Sequence, residues 1–131
     1  MRYVLLCLLT FTFGTLLGEH AANAASIEGN WSGSGTVRLT EGGTEAVRCR
    51  IRYEKGSGRT FVLHVTCAHS NGTFKVSGRI VQLSGGNRYS GRLYSDQYSV
   101  AGDVGISVSG TRQTLTAKSK KGSATVKLTK Q

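Results

Sequence analysis

Proline is absent from the 131 residues, and acidic residues are scarce, 7 against 17 lysines and arginines. The missing proline removes proline-rich linkers and polyproline recognition segments from consideration. Chemistry-bearing side chains are also few. Beyond residue 24 the histidines are His64 and His69 alone, and the acids are Glu28, Glu41, Glu45, Glu54, Asp96 and Asp103. Neither G-x-S-x-G nor H-E-x-x-H occurs, and no carboxylates pair at a recognisable spacing. Two histidines without a free thiolate make a poor metal site. The expectation is a non-enzymatic protein with no catalytic residue, no metal and no cofactor. Motif absence leaves open only a constellation gathered from distant strands.

Long apolar runs are missing too, with one exception. Met1-Arg2 is a short basic start, "YVLLCLLTFTFGTLL" runs from Tyr3 to Leu17, and "GEHAANA" places Ala22 and Ala24 in the A-x-A arrangement. This is the layout of a secretory signal peptide, and about 15 apolar residues fall short of the roughly 20 that span a bilayer. Cleavage is expected after Ala24, with Ala25 the near alternative. The organisation is then a signal peptide over 1–24 and a single domain over 25–131, periplasmic or secreted, with no transmembrane segment after processing. Cys7 lies inside the apolar run and leaves with it, so Cys49 and Cys67 remain. In an exported domain they most simply form one disulfide, two free thiols being the alternative.

What the chain does have is glycine, 18 residues of it, and a strong positive charge. Glycines and Ser/Thr/Asn clusters recur every ten residues or so, and between them lie short alternating segments. No helical apolar stripe is present. The pattern predicts an all-β domain of about eight to ten antiparallel strands, closed as a β-barrel or a β-sandwich. At Gly78 the apolar parity moves from Phe74 and Val76 to Val81 and Leu83, which predicts a bulge or bend there.

Two hairpins follow from arithmetic. In "VRCRIRYE", Val47, Cys49, Ile51 and Tyr53 share one parity, while Arg48, Arg50, Arg52 and Glu54 share the other. Pairing Cys49 with Cys67 sets Ile51 against Val65 and Tyr53 against Leu63, and leaves a turn at Gly56 to Thr60 containing two glycines. Directly opposed Cα atoms lie about 4.5–5.5 Å apart, within disulfide reach. One register thus satisfies turn, core and bridge together. At the other end, "SKKGS" is a turn signal, and pairing Ala117 with Ala124 sets Leu115 against Val126 and Gln113 against Leu128.

Loss of Arg2 and Glu19 with the signal leaves the net charge at +10. Such a balance favours an acidic macromolecule or an anionic envelope surface as partner. Arg48, Arg50 and Arg52 form an outward row facing Ala68, Thr66 and His64, none of them acidic, and arginine forks suit phosphate and carboxylate. Lys118, Lys120 and Lys121 crowd the last hairpin and are the second candidate anion-binding group. The plainer readings are a solvated strand face for the arginines and protection of a sheet edge for the lysines. Nucleic acid is disfavoured: no RNP, KH or zinc-knuckle pattern is present, and export removes most such roles.

"GNW", Gly29 to Trp31, resembles the G-x-W that opens the first strand of lipocalin-type barrels. The resemblance implies a barrel closed at one end by Trp31. The plan is also similar to small periplasmic β-barrel protease inhibitors with one disulfide and a tryptophan in the first strand, which implies inhibition through an exposed N-terminal strand or loop as the alternative function. "SGGNRY", Ser84 to Tyr89, is similar to the S-G-x-x-Y loop of periplasmic lysozyme inhibitors, with one residue too many, and a basic lysozyme would be repelled by this charge. From "WSGSGTV" through both cysteines to the basic tail, the chain resembles uncharacterised exported proteins of alphaproteobacteria. That likeness implies a compartment and no activity.

Overall fold

The computed structural model describes residues 26–131 and, isolated from them, Gly14. The expected signal peptide, 1–24, and its cleavage site therefore lie outside the described residues, save for Gly14. Eight strands follow one another: β1 (Gly29–Leu39), β2 (Thr44–Lys55), β3 (Thr60–His69), β4 (Gly72–Gln82), β5 (Arg88–Ser95), β6 (Val100–Ser109), β7 (Arg112–Ser119) and β8 (Gly122–Lys130). Each pairs antiparallel with the next, and β8 returns to β1, so the sheet is a closed barrel. Among the described residues no helix is long and apolar enough to cross a membrane.

The β2–β3 register is the one the cysteine arithmetic gives, Cys49 opposite Cys67 and Tyr53 opposite Leu63. The two cysteines are joined in a disulfide, with Cα atoms 4.1 Å apart and both side chains inside the barrel. The last hairpin likewise pairs Ala117 with Ala124 and Leu115 with Val126.

Gly78 corrects the bulge, and not the bend, expected there. The β3–β4 ladder runs from Thr60–Val81 to His69–Gly72 without interruption, so there is no bulge. Ile80 carries the inward parity on from Phe74 and Val76, while Val81 and Leu83 stand exposed. Two outward apolar residues imitated a parity shift. Gly78 answers a different need. An added Cβ there would collide with the carbonyl of Arg92, and one at Gly91 with that of Arg79, where β4 and β5 meet. On the opposite side, a Cβ at Gly33 or Gly35 would strike the carbonyls of Lys127 and Thr125 on β8. These inward-facing glycines let the sheet turn two sharp corners, which is how one sheet closes on itself.

Closure staggers the strands. A row of paired residues leaving β1 at Gly29 passes Tyr53, Leu63, Gly78, Leu93, Gly102, Ser119 and Gly122, and re-enters β1 at Leu39, ten residues further on. Strands so staggered are tilted. A row drawn across them therefore climbs from one end of the barrel toward the other.

Candidate functional site

The inward residues are not spread evenly along the barrel. At the end where β1 begins they are large: Ile27, Trp31, Tyr53, Phe61, Leu63, Ile80, Tyr89, Ile106, Val108 and Leu128 are all buried. Trp31 is 1% exposed and its indole Nε1 donates to the carbonyl of Ile27 at 2.9 Å. The Nζ of Lys130 lies 5.8 Å from the centroid of its ring. Phe61 and Tyr89 meet edge to face at 5.6 Å. In the same half the Tyr53 hydroxyl donates to Gln113 Oε1 at 2.6 Å, while Gln113 Nε2 is buried without a partner. Burial raises the ionisation of the Tyr53 phenol well above its ordinary range, and that of Tyr89 in the same direction.

Toward the other end the inward side chains shrink. On β8 the series from that end reads Gly122, Ala124, Val126, Leu128, and on β7 it reads Ser119, Ala117, Leu115. Small side chains at fixed barrel diameter cannot fill the interior. The result is an apolar cup of about 410 Å³, floored by Ile51, Val65, Leu115 and Val126 and flanked by the Cys49–Cys67 bridge. Its mouth is aromatic and polar. His69 tilts against Phe74 at 5.7 Å, Phe74 meets Tyr98 at 6.3 Å, and Glu45 Oε2 lies 3.8 Å from His69 Nδ1. His69 is the last residue of β3, at the mouth, and not a turn residue as its place in "AHSNG" suggests.

The arginines occupy the outer surface. Arg48, Arg50 and Arg52 face Ala68, Thr66 and His64 on one side and Ser34, Ser32 and Asn30 on the other. The pairing across strands is uncharged, but Glu54 lies along the same strand, 3.2 Å from Arg52 and 3.7 Å from His64. Arg48 and Arg50 make no ion pair among the described residues. Two adjacent rows cross this face: Asn30, Arg52, His64, Ser77 and Tyr94 in one, and Ser32, Arg50, Thr66 and Lys75 in the other. They line a shallow depression of about 1080 Å³ that ends near Asp96 and Gln97.

The candidate lysines are not gathered with the arginines. Lys118 is on the outer face of β7, between Asp103 and Ser123. Lys120 and Lys121 form the β7–β8 turn at the cup mouth, where Lys121 Nζ donates to the Tyr98 carbonyl at 3.2 Å. Because β8 pairs with β1, no sheet edge is there for them to guard. Lysines that do approach the arginine face are Lys75, across Thr66 from Arg50, and Lys127, which pairs with Ser34 opposite Arg48. Sequence reasoning missed the cup. Its signal was available as the graded size of inward residues along β7 and β8, but reading it requires knowing which ends of the strands share one end of the barrel.

No protein-family model and no curated protein sequence matches the chain. Solved structures do match in fold. EF1p2_mFAP2b bound to DFHBI is 13% identical with a TM-score of 0.66, covering 79% of this chain and 93% of its own. A redesigned β-barrel, mFAP1, also bound to DFHBI, is 14% identical with a TM-score of 0.64, covering 79% and 94%. A de novo designed fluorescence-activating β-barrel is 15% identical with a TM-score of 0.60, covering 79% and 93%. At such identities the likeness is one of fold: this chain is a small β-barrel.

Proposed function

We propose that the protein is an exported, non-enzymatic binding barrel that holds a small apolar molecule in its cup. One observation carries this reading: an apolar hollow of about 410 Å³ open at one end of a barrel whose other end is filled by Trp31 and its neighbours. That volume lies in the range of small-molecule sites, and such sites favour mostly apolar walls with a few polar groups at the entrance. Glu45, His69 and Lys121 supply the polar entrance. The structural likeness to proteins described as bound to DFHBI, one of them a redesigned β-barrel, supports the capacity of this architecture to host a ligand. The test is titration with an environment-sensitive apolar fluorophore. Saturable enhancement in the wild type, lost in Ala124→Phe, supports the cup. Equal enhancement in both proteins rejects it.

A second reading concerns the outside. The basic outer face, through Arg48, Arg50 and Arg52, engages an acidic macromolecule or the anionic envelope surface. It is favoured by Arg48 and Arg50 having no acidic partner among the described residues and by the depression beside them. Replacing all three arginines with glutamine is expected to lower the salt needed to elute the protein from heparin while leaving its melting curve in place. Elution at unchanged salt would mean that the row is only a solvated strand face.

A further inference from the structure

We infer that the outer depression is a binding site for an acidic polysaccharide whose sugar rings carry carboxylates; this rests on the outer-face reading above and names its ligand. The depression crosses five strands, from Asn30 on β1 to Tyr94 on β5, about 19 Å at the ordinary strand spacing. Strand tilt makes it a diagonal track running from the plugged end to the mouth. A track of this length suits an extended chain better than a compact ion.

The cations along it are sparse. Arg50 and Arg52 stand about 7 Å apart along β2, and Lys75 lies two strands from Arg50, about 10 Å away. The spacing here matches a polymer whose charges are separated by whole rings. Thr66 lies between Arg50 and Lys75, and Asn30 and Gln97 stand at the two ends of the track; these neutral hydrogen-bonding side chains suit hydroxyl groups. Two exposed rings stand on the track, the His64 imidazole beside Glu54 and Tyr94, 51% exposed, and of the two only Tyr94 offers a broad apolar face. One ring is a platform for the apolar face of one sugar, whereas single-stranded nucleic acid is held by stacking successive bases on aromatic side chains. A concave face cannot lie flat on a bilayer, which disfavours a lipid surface. Asp96, the one side-chain carboxylate lining the depression among the described residues, sits at its mouth end, and Glu54 stands beside the other end on Arg52, which leaves the middle, from Arg50 to Lys75, cationic.

The experiment measures binding of the purified protein to polygalacturonate, neutral dextran, a single-stranded oligonucleotide and phosphatidylglycerol vesicles at one ionic strength. Polygalacturonate is expected to bind best and dextran not at all. Tyr94→Ala should weaken polygalacturonate binding about tenfold, equivalent to about 1.4 kcal/mol, with Tyr94→Phe retaining it and oligonucleotide binding unmoved. Arg50→Gln with Lys75→Gln should weaken every polyanion. Equal binding of all polyanions, indifferent to Tyr94, would overturn the polysaccharide assignment and leave the outer-face reading standing. Absence of polyanion binding, or binding unmoved by Arg50→Gln with Lys75→Gln, would overturn both. Tyr94 and both cations are solvent-facing, and circular dichroism of each variant verifies that the barrel is intact.

Discussion

Tyr53 shows how much one side chain can carry in so small a core. Its ring fills the plugged half and its hydroxyl reaches Gln113 across the barrel at 2.6 Å. Burial favours the neutral phenol, so its folded-state ionisation lies above the unfolded value of about 10. For a group shifted in this direction the unfolded chain loses its proton first as pH rises. The stabilisation is therefore fully present below about pH 10 and is lost as pH climbs above it. Tyr53→Phe should blunt this alkaline loss. At neutral pH the same change strands Gln113 with no partner, at a cost of about 1–3 kcal/mol. Chemical denaturation at pH 7 and at pH 11 measures both, and an unaltered pH slope in the variant would assign the alkaline loss elsewhere. Trp31 is the second such residue. Truncation to alanine opens the plug and removes the bond to Ile27, so Trp31→Ala should cost about 3–5 kcal/mol.

Among the elements, the β2–β3 hairpin was legible down to its register. Strict alternation over Val47 to Glu54 and the two cysteines left one pairing that keeps every apolar residue on one side, because a slip by one turns a strand inside out. The bridge closes a separation of 18 residues, so replacing both cysteines with alanine should lower stability by about 3 kcal/mol without altering the fold. The midpoint of urea unfolding measures this. β4 was less legible, since Val81 and Leu83 are apolar yet outward and Gly78 looked like a bulge or bend. The corner glycines explain why: their role is set by a neighbouring strand that local pattern does not reveal. Gly35→Ala should be destabilising by about 1–3 kcal/mol, because its Cβ meets the Thr125 carbonyl. Gly105→Ala, where an added Cβ meets only Thr116 Oγ1 at 3.5 Å, should change stability by no more than about 0.5 kcal/mol. Similar losses at both positions would show that the corners carry no special constraint.

On the scale of the whole molecule, closure decides what the surface residues can be for. With β8 hydrogen-bonded to β1 there is no open edge, so the lysines of the last hairpin are left as a cluster at the cup mouth and on the outer wall. Closure also creates an inside with two unlike halves, one packed and one hollow. A molecule that occupies the hollow binds only the folded state, and at 100 times its dissociation constant it would stabilise the barrel by about 2.7 kcal/mol. The melting temperature should accordingly rise with ligand concentration in the wild type and stay constant in Ala124→Phe.

The strand pattern, the disulfide partners and the parity of the arginines were determined by the sequence alone, because alternation and turn chemistry act between residues close along the chain or paired by one hairpin. Arg48, Arg50 and Arg52 were marked as outward the moment Val47, Cys49 and Ile51 were marked as inward. Whether the sheet closes, at what stagger and around what volume was decided only in three dimensions. The return of β8 to β1, the ten-residue offset that sets Asn30 and Tyr94 on one diagonal, and the shared mouth of Ala117, Ala124 and Phe74 all join residues from distant strands. Those positions acquire meaning from the diameter and tilt of the closed sheet, which no single strand encodes.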